Sequence, residues 1–576
     1  MTAAQAIIEI LAAAGIGRLY TVPGESFLGI LDAADADPRF SVISCRHESG
    51  AAFMAEAEAK LTGVPAVAAG TRGVGAANLA IGVHTAMQDA TPMIVLLGQV
   101  ETGFLGKEAF QEVDLPAFYG PITKWAATIE HASRAPDLVA QAVRRATTGR
   151  PGPVMLALPA DMLGQEVDPE AVAAAVRAVQ GRQAPSVPEA SVVTAVADAL
   201  RAARQPVLIA GAGCRDARAE LIECAERWNV GVYAAFRRQD VFPNDDPHYL
   251  GHLGLGTPPA CLDALRRADL VLVVGARLDE ITTQGFTLPA PGTQIIHADI
   301  DPSVPGAAMP ADLALTADAR PLLRQLCDAA GAPNEAGPYQ AGPDEPERPG
   351  RSWERAHGAY LTAATPRRRP AAAGLDPAAV IESMLRTLPA ATIVTNDAGN
   401  FSAFLHLYWR YNEPLTQLAP ANGAMGYAVP SGVAAAVAAP GRTVAAVCGD
   451  GGFLMTGQEV ETAVRLGARL IVVVMRNGQY GTIAMHQLRQ TGRMSAVTIG
   501  EVDVAGLATS LGATGVAVER ETDLDRAFSQ ARQRDGVTVL DIRTDPDLTT
   551  PALRLSDLRG QSAAEHRDQS AAEHRD

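Results

Sequence analysis

The sequence predicts an α/β protein built of three doubly wound parallel-sheet domains, and three observations carry that reading. Short runs rich in Val, Ile and Leu alternate with Ala-rich stretches along nearly the whole chain, the pattern of parallel strands wrapped by crossover helices. With 576 residues, 48% of them hydrophobic and 19% charged, there is apolar material for several cores of ordinary domain size. Two composition breaks interrupt the alternation, one rich in Ala, Val, Gln and Pro at 167–188, the other dense in Pro, Gly, Glu and Arg from 331 to about 370, and both read as linkers. The expected layout is a first domain over 1–166, a linker over 167–188, a central domain over 189–330, a linker over 331–372 and a third domain over 373–556.

In chain order, strands are expected at Val42–Ser44, Val64–Ala69, Met93–Leu97, Val154–Leu158, Val207–Gly211, Leu270–Gly275, Ile295–Asp299, Thr392–Thr395, Thr443–Val447 and Leu470–Met475, each a short β-branched or Leu-rich run. Residues 557–576 carry the octapeptide Gln-Ser-Ala-Ala-Glu-His-Arg-Asp twice, at 561–568 and 569–576. It is polar and lacks apolar periodicity, so a disordered tail is expected.

Charge and cysteine usage exclude several classes of function. The 48 basic and 64 acidic residues leave a net charge of −16, and no block of five or more like basic charges offers a phosphate-backbone footprint, so nucleic acid is not an expected partner. The six cysteines (Cys45, Cys214, Cys224, Cys261, Cys327, Cys448) are scattered without a Cys-x-x-Cys pair, as expected of buried thiols in a reducing compartment. The N-terminus has no basic leader and no apolar run reaches the ~18 residues of a membrane span, so a cytoplasmic protein without a membrane segment is expected.

The strongest motif lies in the third domain. The strand Thr443–Val447 runs into Cys448-Gly449-Asp450-Gly451-Gly452-Phe453 and then a helical stretch, and the strand Leu470–Met475 ends at Arg476-Asn477-Gly478-Gln479-Tyr480-Gly481. This puts a carboxylate and a carboxamide at the C-terminal ends of two strands joined by a crossover helix, where open α/β sheets bind ligands. Gly451 and Gly452 let backbone N–H groups approach an anion at a helix start, and Asp450 and Asn477 are hard oxygen donors suited to Mg²⁺. An Asp in such a turn is by itself an ordinary helix cap. The spacing of Gly-Asp-Gly to the Asn and Gly of the next strand end, however, resembles the signature of thiamine diphosphate enzymes.

That resemblance implies a metal held by Asp450, Asn477 and the backbone carbonyl of Gln479, with Gly449, Gly451, Gly452, Tyr480 and Gly481 around the diphosphate. Where the family commonly has two adjacent asparagines, this chain has Arg476-Asn477. In the first domain, Arg46-His47-Glu48 precedes an Ala-rich helix and resembles the segment carrying the family's catalytic glutamate. A carboxyl group hydrogen-bonded to N1′ of the aminopyrimidine favours the imino tautomer, whose nitrogen takes the C2 proton of the thiazolium.

Thr21-Val22-Pro23-Gly24-Glu25-Ser26, the stretch from Asn78 through His84 to Asp89, Gly98-Gln99-Val100 and Ala109-Phe110-Gln111-Glu112 are similar to the acetolactate synthase-like branch. The resemblance implies that Pro23, Gly24, Glu25, Ser26, His84, Phe110 and Gln111 line the pocket above the reactive carbon. It also implies that Gly423 accepts a hydrogen bond from the 4′-amino group, that Met425 wedges between the two cofactor rings, and that Gly399 and Asn400 contact the diphosphate.

In the central domain, Gly211-Ala212-Gly213, Gly275-Ala276-Arg277 and Asp299-Ile300-Asp301 follow strands but form no full dinucleotide fingerprint. Relatives place FAD, or ADP or CoA, in this domain, and an empty scaffold is the other reading. The family's arginine-containing segment after the Gly-Ala-Arg strand is here Leu278-Asp279-Glu280 through Gly285.

The function implied is a thiamine diphosphate- and Mg²⁺-dependent carboligase or decarboxylase acting on small 2-oxo acids. The alternative is a carbon–carbon lyase of the 2-hydroxyacyl-CoA, oxalyl-CoA decarboxylase or benzaldehyde lyase type, using an acyl-CoA or aldehyde. A non-catalytic cofactor-binding relative is a third reading. The resemblance further implies a homodimer or homotetramer in which Glu48 and the metal motif of one site come from different subunits.

Overall fold

The computed structural model describes residues 1–330 and 352–559. Residues 1–182, 367–405 and 418–559 form one compact unit, and 183–330, 352–366 and 406–417 form another. The larger unit holds the first and third sheets, and the smaller holds the second.

The first sheet contains β1 (Arg18–Thr21), β2 (Ser41–Ser44), β3 (Ala66–Thr71), β4 (Met93–Gln99), β5 (Trp125–Thr128) and β6 (Pro153–Pro159) in the order β2-β1-β3-β4-β6-β5. All five pairings are parallel. β4 and β6 are buried along their whole length, which is why their sequences read as continuous apolar runs rather than alternations. Helix Ala3–Ala13, held at its start by a capping box between Thr2 and Gln5, packs Ile7, Ile10 and Leu11 on Leu19, Val67, Leu96 and Leu156.

The second sheet comprises β7 (Pro206–Ala210), β8 (Gly231–Ala234), β9 (Tyr249–His252), β10 (Leu270–Val274), β11 (Gln294–Asp299) and β12 (Leu313–Thr316), ordered β12-β11-β10-β7-β8-β9. The third comprises β13 (Ile393–Asn396), β14 (Gln417–Leu418), β15 (Val444–Gly449), β16 (Leu470–Arg476), β17 (Thr514–Val518) and β18 (Val537–Arg543), ordered β14-β13-β15-β16-β18-β17. The expected α/β class with three doubly wound sheets is thus the observed one. The strand order reverses between β1 and β3, β7 and β10, and β13 and β15, and the first and third sheets also exchange their last two strands at the edge, β6 lying inside β5 and β18 inside β17. Crevices outside the carboxyl ends of those strand pairs are where such sheets take ligands.

Both composition breaks read as linkers contain helices. Pro169–Gln180 is capped by Asp168 and buries Val172 and Ala175 on the first domain's core. Glu354–Ala364 buries Tyr360 and Ala364 on the core of the central sheet. Pro and polar residues dominate these stretches, yet a few apolar side chains at helical spacing suffice once a core face is present to receive them. Past the expected domain end at 556, Leu558 is buried with Leu555 against Leu488. Residues 331–351 and the repeated octapeptide lie outside the described residues. All six cysteines are buried free thiols. Among the described residues, no helix is long and apolar enough to cross a membrane.

Candidate active site

One half-site stands at the switch point of the first sheet. Glu48 is the first residue of helix Glu48–Thr62, whose N-cap is His47, its ring nitrogen accepting from the Ser49 N–H. Asn78 Nδ2 donates to Glu48 Oε2 at 2.9 Å, and a Cβ on Gly75 would come within 3.5 Å of Glu48 Oε1. The glutamate is therefore held by the helix after β3 while its other oxygen faces the glycine turn. The third domain secures the helix start: Glu459 Oε1 accepts from the backbone N–H groups of Arg46 and His47 at 2.9 and 3.0 Å. A side chain at Gly50 would run into that carboxylate at 2.5 Å. Burial pushes the Glu459 carboxyl up, against the hydrogen bonds from Thr462, Arg46 and His47 that favour its charge. Glu459→Ala is expected to lower stability by about 1–3 kcal/mol by leaving two N–H donors unsatisfied, read as a drop in the denaturant midpoint that Glu459→Gln largely avoids.

The loops expected to line the pocket meet at the same switch point. After β1, Gly24 packs so tightly on Thr71 that a Cβ would lie 2.5 Å from the threonine Cβ. Ser26 is buried, with its hydroxyl 2.7 Å from Thr71 Oγ1, so it braces the loop from beneath. Glu25 is exposed and pairs with Arg72 at 3.3 Å. Phe110 is 71% exposed, and Gln111 adopts φ of 64° with its carbonyl taking the Gly73 N–H at 2.9 Å. His84 is drawn to another partner: its Nδ1 lies 3.1 Å from Asn422 Nδ2, which also donates to Thr85 Oγ1 at 3.0 Å.

The other half-site stands at the switch point of the third sheet. Asp450 follows β15, and its carboxylate accepts from Gly451 N at 3.0 Å and, across to the turn after β16, from Gly478 N at 2.7 Å. Asn477 Oδ1 accepts from Gln479 N at 3.1 Å, and the Gln479 carbonyl takes the Gly481 N–H at 2.9 Å, keeping its second lone pair. The three expected metal ligands therefore share one tight pair of turns. Burial raises the Asp450 carboxyl, opposed by the N–H groups of Gly478 and Gly451 and by the Arg476 charge. A hard cation beside this carboxylate offsets that desolvation, so the donor set fits Mg²⁺. Arg476, standing where the resembling proteins have a second asparagine, is anchored by Asp541 at 2.7 Å.

The glycines here are required by close approach. A Cβ on Gly452 would sit 1.9 Å from Asp397 Oδ2, and one on Gly451 would sit 2.8 Å from the Tyr480 ring. Asp397, after β13, accepts from Ala428 N at 2.6 Å and Gly426 N at 3.1 Å, while Thr456 Oγ1 donates to the Gly426 carbonyl at 2.7 Å. Those bonds clamp the loop with Gly423, at φ of 73°, and half-buried Met425. From the first domain, Asp89 accepts the Ala421 N–H at 3.0 Å and Lys60 donates to the Ala419 carbonyl at 2.9 Å. Asn400, expected at the diphosphate, donates to Thr549 Oγ1 and accepts from Thr482 Oγ1 at 3.0 Å. Gly399, at φ of 146°, lies against Phe401. A backbone cradle of this kind, with an acidic cation site beside it, fits a diphosphate with its metal.

Sequence reasoning did not single out Asn78, Glu459 or Asp397. Asn78 and Asp397 stood in segments already noted for their resemblance, the latter beside Gly399 and Asn400. Glu459 carried no local signal, since it acts on backbone groups far away in sequence. In the central unit, Gly213 N donates to Gly275 O at 3.0 Å, and a Cβ on either residue would meet the other's Cα within 2.7 Å. Mutual packing of the two turns accounts for these glycines without a nucleotide, so they give no support to FAD, ADP or CoA.

A helix-start carboxylate at one switch point and a glycine-lined carboxylate turn at another are the arrangement expected of a cofactor-dependent α/β enzyme. Comparisons with known proteins agree. Residues 1–118, 193–326 and 397–542 match, in turn, the families described as thiamine pyrophosphate enzyme N-terminal TPP binding domain, central domain and C-terminal TPP binding domain. The acetolactate synthase large subunit of Corynebacterium glutamicum is 30% identical over 556 residues, 94% of this chain and 86% of that protein. The probable acetolactate synthase large subunit of Methanocaldococcus jannaschii is 30% identical over 573 residues, 96% of this chain and 93% of its own length. The solved thiamine diphosphate-dependent 4-hydroxybenzoylformate decarboxylase of Rhodococcus jostii RHA1 shares the fold, with a TM-score of 0.82 over 95% of this chain and 99% of that one at 23% identity. The chain belongs to the thiamine pyrophosphate enzyme family, in its acetolactate synthase-like branch, whose cofactor serves to form or cleave carbon–carbon bonds.

Proposed function

We propose that this protein is a thiamine diphosphate- and Mg²⁺-dependent carboligase that joins small 2-oxo acids, working in the cytoplasm as a homodimer or a larger assembly of dimers. The observation that carries the reading is the pair of half-sites, Glu48 held by Asn78 and the Asp450, Asn477 and Gln479 turns tied by Gly478. Bound thiamine diphosphate supplies the electron sink that makes a carbonyl carbon a nucleophile.

The chain's residues do the rest. Asp450, Asn477 and the Gln479 carbonyl would hold Mg²⁺, and the N–H groups around Gly451 and Gly452 would face the diphosphate. Met425 and the Gly423 carbonyl would shape and orient the rings. Glu48 would share a proton with the aminopyrimidine N1′, and the apolar residues around both half-sites would exclude water. Support for a dimer comes from large apolar side chains left outward beside each half-site: Val74 and Phe110 on one, Leu454, Met455 and Ile483 on the other. A second copy would cover them and bring Glu48 of one chain to the metal motif of the other.

The test is product analysis with pyruvate alone and with a 2-hydroxyacyl-CoA, alongside subunit complementation. Formation of acetolactate from pyruvate supports the reading; aldehyde or ketone release from the thioester with no acetolactate overturns it. Mixed chains carrying Glu48→Gln and Asp450→Ala, each inactive alone, are expected to recover roughly a quarter of wild-type activity, since random reassociation restores one native site in half of the dimers. No recovery after demonstrated exchange of subunits would mean that each chain builds its own site.

A further inference from the structure

Arg72 occupies an unusual position. It is the first residue of helix Arg72–Asp89, directly after β3, at the switch point of the first sheet. Its Nη1 donates to the Phe110 carbonyl at 3.2 Å and lies 3.3 Å from Glu25 Oε1. One guanidinium thus touches both loops that frame the pocket, the one after β1 and the one around Gln111. Its backbone is in the left-handed region, at φ of 38°, a conformation that costs energy for a residue with a Cβ and concentrates at functional sites. The next two glycines complete the turn: Gly73 donates to Gln111 O at 2.9 Å, and Gly75 lies against Glu48.

The guanidinium is also incompletely used. Its side chain is 15% exposed while that of Glu25 is 69% exposed, so the ion pair is made to a solvated carboxylate and is weak and exchangeable. The Nε–H is buried without an acceptor. An arginine presents its donors as a rigid fork that matches a carboxylate, and an unfilled buried donor is costly until an acceptor arrives.

We propose that Arg72 is the specificity-determining residue of this pocket: it receives the carboxylate of an anionic 2-oxo acid, released from Glu25 as the substrate enters. The inference rests on the 2-oxo acid reading above and names the group that recognises that substrate class. Uncharged carbonyl substrates gain nothing from Arg72.

The experiment separates binding from turnover. In the Glu48→Gln holoenzyme, where chemistry is suppressed, the dissociation constant of pyruvate is measured by fluorescence titration with and without Arg72→Gln. In the otherwise wild-type enzyme, KM and kcat are measured for pyruvate and for an uncharged aldehyde acceptor. Arg72→Gln is expected to weaken pyruvate binding and raise its KM by roughly ten- to hundredfold, the range for losing a hydrogen bond to a charged group. Thiamine diphosphate affinity and the KM of the aldehyde should hold within about threefold, and Arg72→Lys should restore part of the pyruvate affinity. Equal losses for pyruvate, aldehyde and cofactor would reduce Arg72 to a loop brace and overturn the proposal, as would an unchanged pyruvate constant. A wild-type enzyme that binds pyruvate through Arg72 without turning it over would overturn the proposed reaction while leaving this assignment supported.

Discussion

Glu48→Gln is expected to fold normally, bind thiamine diphosphate within a few-fold of wild type and lose turnover by roughly 10²- to 10⁴-fold, the range for removing a positioned proton-transfer group. The geometry explains why folding survives. An amide oxygen can still accept from Asn78 Nδ2, now 2.9 Å from Glu48 Oε2, and the helix start is held by the His47 ring and the Glu459 carboxylate rather than by Glu48. What glutamine cannot do is hold and release a proton. Steady-state kinetics with a cofactor titration on the same preparation checks this, and retained turnover would remove Glu48 from the chemistry.

Asp450→Ala acts on the other half-site and through binding. The carboxylate is buried, accepts two backbone N–H groups and ties the turn after β15 to the turn after β16. Its removal takes away one oxygen donor for the cation and leaves the Gly478 N–H without its acceptor, so two of the three expected metal ligands lose their fixed spacing. Mg²⁺-dependent retention of thiamine diphosphate is expected to fall roughly a hundredfold or more, since even outer partners of metal ligands cost 10- to 100-fold when removed. Cofactor and metal content after gel filtration, at increasing Mg²⁺, reads the effect. Wild-type retention would mean that the cation is held elsewhere.

These outcomes rest on parts of the chain that differ in how openly the sequence displays them. The strand-turn-helix around Asp450 and the Arg-His-Glu before an Ala-rich helix are local patterns: a β-branched run, a glycine turn and a helical stretch within a few tens of residues. Their types and positions can therefore be read directly. Glu459 shows the opposite case. Nothing near it marks it, because its oxygen caps the N–H groups of Arg46 and His47 from more than four hundred positions away. His84 and Ser26 illustrate a third. Their presence in resembling segments is plain, but the partners that receive them, Asn422 and Thr71, are set by how helices and loops pack.

The sequence alone determined the α/β class and the three sheets, which follow from periodicity and turn chemistry acting over short stretches of chain. That Glu48, Asp450, Asn477 and Gln479 form one set of chemistry-bearing groups is what the resemblance of their motifs implies. Only the tertiary structure decided the strand orders, and with them which loops meet at a switch point. It alone put Arg72 between Glu25 and Phe110, set Asp397 beneath Gly452 and turned the expected linkers into packed helices. Such contacts depend on long-range closure of the sheets and on side chains filling space that the closure creates, and no local pattern encodes them.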